Sequence, residues 1–312
     1  MNPLSARLTS LSPSETFAMS QKSNELKAQG IDVINLSVGE PDFNTPDHIK
    51  EAAKNAVDNN FSFYSPVQGF LDLRKAICDK LKIENQLDFT PDQIIVSNGA
   101  KQSLCNVILA LVNRDEEVII PAPYWVSYPQ MVKLAEGKPV YAYAGIDQNF
   151  KITAQQLEEV ITPKTKALIL CSPSNPTGSV YSKEELKSLA EVLAKYPNIF
   201  VISDEIYEHI NYVGKHESIA QFEEIRDRVI IVNGVSKGYA MTGWRIGWIA
   251  GPKWIASACN MLQGQYTSGP SSISQKAALA AYMGEQTCVE DMRKVFERRK
   301  NMGVRLLREI PG

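Results

Sequence analysis

The run 229–247 carries the most chemically suggestive spacing in the chain: an aliphatic stretch leads into Ser236-Lys237, and Arg245 follows eight positions after the lysine. A lysine at the carboxyl end of a buried strand loses solvation, which lowers its pKa from about 10.4 and favours the neutral amine. Such an amine is suited to forming a Schiff base. Taken alone, Lys237 reads more readily as a surface lysine. The hydroxyl of Ser236 and the planar fork of Arg245 beside it add an anion site, with a phosphate the obvious candidate. A second anion cradle lies at Ser97-Asn98-Gly99-Ala100-Lys101, where small residues join a strand to a helix whose free N–H groups and dipole point outward. Two further strand ends deliver polar groups, Asp204-Glu205-Ile206-Tyr207 and Ser172-Pro173-Ser174-Asn175-Pro176-Thr177-Gly178. Read singly, Asp204 also suits a helix N-cap and Asn175 a turn.

The elements that must position these groups alternate. Short aliphatic segments at 93–97, 117–120, 139–142, 167–171, 199–203, 229–233 and 245–250 read as strands, several apolar enough to be buried on both faces. Helical patterns at 101–112, after Thr153 and at 182–195 lie between them. Ser182 and Glu185 form a capping box. This order predicts an α/β fold with a mainly parallel sheet in a three-layer α/β/α arrangement. Two more helices are expected at 272–283 and 285–309; Arg293, Lys294, Arg298, Arg299 and Lys300 on the second read as a solvated face. The Pro311-Gly312 ending resembles a turn into further chain, so a truncated sequence is expected.

Composition excludes several classes. With 33 basic and 35 acidic residues the formal charge is −2, which gives no general nucleic-acid surface. The longest aliphatic run, 107–112, is far short of the roughly 20 residues that cross a bilayer, and 1–13 lacks the apolar stretch of a secretory signal. A cytoplasmic protein without membrane contact is expected. The five cysteines lie far apart and read as free thiols. The three histidines show no metal-ligand spacing, although His216 beside Glu217 makes half a site; no metal is expected. Dinucleotide, Walker and nucleophile-elbow motifs are absent.

The segment 234–247 resembles the pyridoxal-phosphate lysine signature of the class I aminotransferases at every constrained position. Gly39-Glu40-Pro41-Asp42-Phe43, Tyr64-Ser65-Pro66, Pro123-Tyr124-Trp125, Asn175-Pro176-Thr177-Gly178 and Asp204-Glu205-Ile206-Tyr207 follow in that family's order. The chain is thus similar to the aspartate aminotransferase branch of the fold-type I enzymes from about residue 14 onward.

The resemblance implies pyridoxal 5′-phosphate as cofactor, with Lys237 as its Schiff-base residue and the proton carrier between substrate Cα and cofactor C4′. By the same resemblance Asp204 pairs with the pyridine nitrogen, Asn175 and Tyr207 donate to the phenolic oxygen, and Trp125 stacks on the ring. Ser236, Arg245 and the Gly99-Ala100 backbone are assigned to the phosphate, with Lys101 in the same shell and Tyr64 reaching across from a second subunit, which implies a homodimer. Gly39 is placed close over the substrate, and Lys101, with Ser14 and Thr16 nearby, is assigned to its distal carboxylate; Trp125 and Asn175 also border the substrate.

The implied partners are an amino acid and a 2-oxo acid, here aspartate and 2-oxoglutarate by a ping-pong route. Prephenate or aromatic amino acids, and a C–S lyase reaction, are the alternatives; a cofactor-sensing regulator is disfavoured for want of room for a DNA-binding domain before Gly39. The family's arginine for the substrate α-carboxylate belongs to a C-terminal Arg-Ile-Ser or Arg-Leu-Ser segment, absent up to Gly312. The expected division is an N-terminal arm and part of the small domain over 1–44, a large cofactor-binding domain over 45–283 and the start of the smaller α+β domain over 284–312.

Overall fold

The computed structural model describes residues 4–13 and 15–311, without the side chains of 15–17. Seven strands build one sheet: β1 (Ile94–Ser97), β2 (Glu117–Ala122), β3 (Lys138–Tyr143), β4 (Thr165–Cys171), β5 (Phe200–Asp204), β6 (Val229–Gly234) and β7 (Gly247–Ala250). Their spatial order is β1-β7-β6-β5-β4-β2-β3. Parallel pairing joins β3, β2, β4, β5 and β6. β7 runs antiparallel to both β6 and β1, with Gly234 opposite Gly247 and Ser97 opposite Gly247.

Strand alternation sorts the core into two layers. Leu168, Leu170, Val201 and Ile231 face one side, against Leu73 and Ile77 of helix Leu71–Lys80, Leu186 and Leu189 of helix Lys183–Ala194, and Ala277 and Ala281 of helix Ser272–Met283. Ala167, Ile169, Ile202, Ile230 and Val232 face the other, against Leu104, Val107 and Ile108 of helix Ala100–Leu111, Met131 of helix Ser127–Leu134, and Ile255 and Cys259 of helix Lys253–Tyr266. The result is a three-layer α/β/α molecule. Each fully buried Leu or Ile here contributes roughly 1.5–3 kcal/mol of transfer free energy.

All seven expected strands form, with one correction at the last. The expected strand 245–250 begins only at Gly247, because Arg245 adopts a left-handed backbone, φ 57° and ψ 52°, that no strand accommodates. Ser182 caps its helix as expected, accepting from Glu185 N–H while Glu185 accepts from Ser182 N–H at 2.7 Å. The long terminal helix, Thr287–Leu307, packs on the segment before residue 45: Arg299 pairs with Asp42 at 2.6 Å, and the Phe43 and Phe296 rings meet edge to face at 5.1 Å. Among the described residues no helix is long and apolar enough to cross a membrane.

Candidate active site

Parallel strands bring their carboxyl ends to one edge of the sheet, and β7, running the other way, brings its amino end there. Ser97, Ala122, Cys171, Asp204 and Gly234 therefore end their strands beside the residues that precede Gly247. A cavity of about 580 Å³ opens at this edge. Its wall gathers Lys237, Ser236, Arg245, Asp204, Tyr207, Asn175, Trp125, Ala100, Lys101 and Gly39, residues separated by as many as 206 positions in the chain. Gly99 stands directly behind Arg245. Tyr64 is not on the wall; its side chain is 98% exposed. Ser14 and the side chain of Thr16 lie outside the described residues.

Lys237 sits three residues past β6, and its Nζ donates to the Gly39 carbonyl at 2.6 Å. Burial lowers its pKa and Arg245 adds to the effect, against the charges of Glu40 and Asp204, which pull it up. The net lowering enlarges the neutral fraction, the form with a free lone pair.

Asp204 ends β5 almost fully buried. Its pKa is pushed up to about 6, chiefly by desolvation and further by the neighbouring Glu205 charge, while the Tyr128 phenol, the Ile206 N–H and Lys237 restrain the rise. Tyr128 Oη donates to Asp204 Oδ2 at 2.6 Å and Ile206 N–H to Oδ1 at 3.3 Å, so both carboxylate oxygens are fixed. Tyr128 went unread in the sequence because a tyrosine on a helix looks like a core aromatic. Its only available signal was its place one turn after Trp125, whose ring it meets edge to face at 5.4 Å.

Asn175 Nδ2 donates to Tyr207 Oη at 3.0 Å, which presents two polar groups side by side. The Tyr207 phenol is held protonated, first by burial and then by the charge of Asp204. Lys101 places its Nζ 4.8 Å over the Trp125 ring, and burial lowers its pKa, with Arg245 acting in the same direction.

The anion end is built from backbone as much as side chain. Arg245 donates to the carbonyls of Thr242, at 2.8 Å, and Asn98, at 3.2 Å, which ties its guanidinium to the turn after β1. Gly99 begins helix Ala100–Leu111 at φ +82°, and a Cβ there would lie 2.3 Å from Arg245 Nη2. Gln102 N–H donates to the Gly99 carbonyl at 3.0 Å, and the helix's amino end, with the positive end of its dipole, lies beside this turn.

Ser20, Glu40, Ser127, Ile206 and Thr242 line the same cavity; Glu40, Ile206 and Thr242 lie within motifs read from the sequence without a site role, and Ser20 and Ser127 went unread. Thr242 donates its hydroxyl to Glu40, a contact that holds the 39–43 segment across the opening. The pairing of His216 with Glu217 does not form: His216 Nε2 lies 2.9 Å from Glu205, while Glu217 accepts from Gln221 at 2.9 Å.

The family model for aminotransferase class I and II matches residues 31–312. A probable aspartate/prephenate aminotransferase of Rickettsia bellii is 50% identical over 312 residues, which cover 99% of this chain and 78% of that relative. The crystal structure of an aspartate aminotransferase from Rhizobium meliloti superposes with a TM-score of 0.96 at 41% identity, covering 100% of this chain and 78% of that one. An aspartate aminotransferase of Thermus thermophilus solved with maleate gives a TM-score of 0.93 at 41% identity, over 96% and 79% of the respective chains. A family model spanning 31–312, a relative half identical over 99% of this chain and a closely superposing fold make the chain a member of the class I and II aminotransferases.

Proposed function

We propose that this chain is an aspartate aminotransferase that holds pyridoxal 5′-phosphate in the cavity and passes the amino group of aspartate to 2-oxoglutarate. The observation that carries the reading is the placing of Lys237, a partly desolvated amine, between a buried carboxyl at Asp204 and an anion cradle at Gly99 and Arg245. These donors fit the cofactor's three chemical ends. The cradle, closed to any Cβ at Gly99, together with the Ser236 hydroxyl and the Ala100 N–H, suits the phosphate. Asp204 suits a protonated ring nitrogen, and the Asn175–Tyr207 pair suits a phenolate oxygen. Bound there, pyridoxal phosphate supplies an electrophilic carbonyl carbon and a ring that delocalises the electron pair left when a substrate Cα loses its proton.

The chain's own residues divide the remaining work. Lys237 Nζ takes the proton from the substrate Cα and returns it on the far side of the transfer, a task for which a lowered pKa suits it. Asp204, fixed at both oxygens, holds its charge in one direction without reorganising. Trp125 covers the ring face and excludes water. Lys101 meets the distal carboxylate of a dicarboxylic substrate, and Gly39 leaves room above it.

The names of the relatives support aspartate, and that of the Rickettsia relative prephenate as well. Apolar wall residues Val38, Leu104 and Ile206 favour acceptance of a second, less polar substrate such as prephenate or an aromatic amino acid. The proposal extends to a homodimer in the cytoplasm in which Tyr64 serves the partner's phosphate. The test follows aspartate-dependent formation of glutamate from 2-oxoglutarate. Lys237→Ala is expected to abolish it; full activity in that variant, or release of ammonia and pyruvate from cysteine conjugates without any 2-oxo acid, overturns the reading.

A further inference from the structure

Behind Asp204, on the side away from the cavity, lies a buried group of charges that the transfer chemistry does not use. Glu205 follows Asp204 in the chain but turns inward and is 1% exposed. Its Oε1 accepts from Ser203 Oγ at 2.8 Å and Ser218 Oγ at 2.6 Å, and its Oε2 meets His216 Nε2 at 2.9 Å. Its backbone N–H donates to the Val232 carbonyl at 2.9 Å, which anchors it to β6.

A second buried carboxylate, Glu208, accepts from Asn233 Nδ2 at 2.8 Å and pairs with Lys80. Lys80 ends helix Leu71–Lys80; the π-turn that continues it, Leu81–Asn85, contributes Glu84, 3.4 Å from Lys80 Nζ and 3.0 Å from His209 Nε2. Glu205, Glu208 and His216 stand close together, and Lys80 pairs with Glu208 from the neighbouring helix.

The charge balance makes the histidines necessary. Two buried carboxylates, Glu205 and Glu208, and the partly exposed Glu84 face the one ammonium of Lys80, which leaves net negative charge beside His209 and His216. His216 faces Glu205 from its own loop, Glu208 from the turn after β5, and Lys80 from the neighbouring helix. Its Nδ1 meets no partner among the described residues, so the ring's charge is stabilised through Nε2 and the two carboxylates.

We propose that His216 is a positioning residue for the cavity acid: its protonated ring, held against Glu205, screens Asp204 from the charge of its chain neighbour. Desolvation opposes protonation of His216, yet the charge and hydrogen bond of Glu205 outweigh it and raise the pKa. In the same way Glu208 stays ionised despite burial, held well below the usual carboxylate range by Lys80 and the histidines. Glu205 is itself one of the groups that push Asp204 upward. Removing the histidine's charge exposes Asp204 to the full field of Glu205, and the acid that meets the cofactor nitrogen is neutralised at higher pH.

The inference rests on the proposed cofactor site, and two measurements separate its failure from that of the site. The first is the affinity of the full chain for pyridoxal 5′-phosphate by equilibrium dialysis, from about pH 5 to about pH 8. His216→Gln, which keeps a donor to Glu205 but loses the charge, should raise the acid midpoint by roughly one pH unit. Glu205→Gln should lower it, and the double variant should return it close to the wild-type value. A merely structural pair would weaken folding without moving the midpoint; an unshifted midpoint in His216→Gln or Glu205→Gln overturns the proposal. Absence of cofactor binding by the unaltered chain overturns the site itself. The second measurement uses the unaltered protein, whose three histidines can be distinguished in ring-labelled NMR spectra. His216 should titrate above the free value of about 6.5, and titration at or below that value overturns the proposal even if the variants fail to fold.

Discussion

Asp204 is held where the fold alone would not put a charge. Its pKa rises from an ordinary 3.8 to about 6, so the folded chain binds a proton between those values that the unfolded chain has released. The sign follows directly: the burial costs nothing below the lower value, and above the upper value it removes about 3 kcal/mol of stability. Asp204→Asn should therefore raise the stability of cofactor-free protein by about that amount at pH 8, measured by denaturant titration, while cofactor affinity collapses. Tyr128→Phe acts on the same carboxylate from the other side. Losing the 2.6 Å phenol contact should cost about 1–2 kcal/mol in cofactor affinity, read as a roughly tenfold weaker dissociation constant, and should move its acid limit upward. Lys237, Asp204, Asn175 and Arg245 were legible because strand ends and ordered motifs flag them. Tyr128 was not, since its partner lies 76 residues away and a tyrosine announces no charge to be managed, and His216 was singled out only beside Glu217, not with Glu205, 11 residues back.

Elements were legible where a start signal or a sustained helical pattern marks them; Ala100–Leu111 and Thr287–Leu307 were read without a side-chain cap. Helices opened by Thr153, Ser182 and Ser271 have side-chain caps and were read; Asp47–Asp58, Ser127–Leu134 and Lys253–Tyr266 begin without any side-chain cap bond and escaped. Pro129 in the first turn of the second of these obscured it further, although that is where a helix tolerates proline. Ser182→Ala should lower stability by about 1 kcal/mol and leave transfer unchanged, a control seen as a small shift in thermal melting. The junction of β7 with helix Ala100–Leu111 tolerates much less. A Cβ at Gly247 would lie 2.1 Å from Ala100 N, and backbone cannot move aside as a side chain does. Gly247→Ala should lose about 3 kcal/mol or more and fail to accumulate in soluble form. Gly99→Ala should instead fold, displace Arg245 and weaken phosphate binding at least tenfold, measured by cofactor titration.

At the scale of the whole molecule, Tyr64 and Phe63 stand 98% and 81% exposed next to each other. Two adjacent aromatic rings in water are costly for a monomer and natural for a surface that a second copy covers. Sedimentation should find a dimer. If Tyr64 serves the partner's cavity, mixing Tyr64→Ala chains with Lys237→Ala chains should yield hybrids in which one of two sites carries both faults and the other neither. Activity should then reappear from two weak parents; hybrids with no gain would assign Tyr64 to packing alone.

The placing of β7 between β6 and β1 also sets a timetable. β1 is complete at Ser97, yet its only sheet partner is β7, which begins at Gly247. During synthesis, at roughly 5–20 residues per second, β1 waits about 8 to 30 seconds for a neighbour while β2 to β6 can already pair among themselves. The Gly99 turn likewise stays without its guanidinium until Arg245 emerges. The nascent chain thus acquires its amine-bearing strand before its phosphate cradle is closed, and ribosome-bound chains halted before Gly247 should leave β1 open to protease while the central strands are already protected.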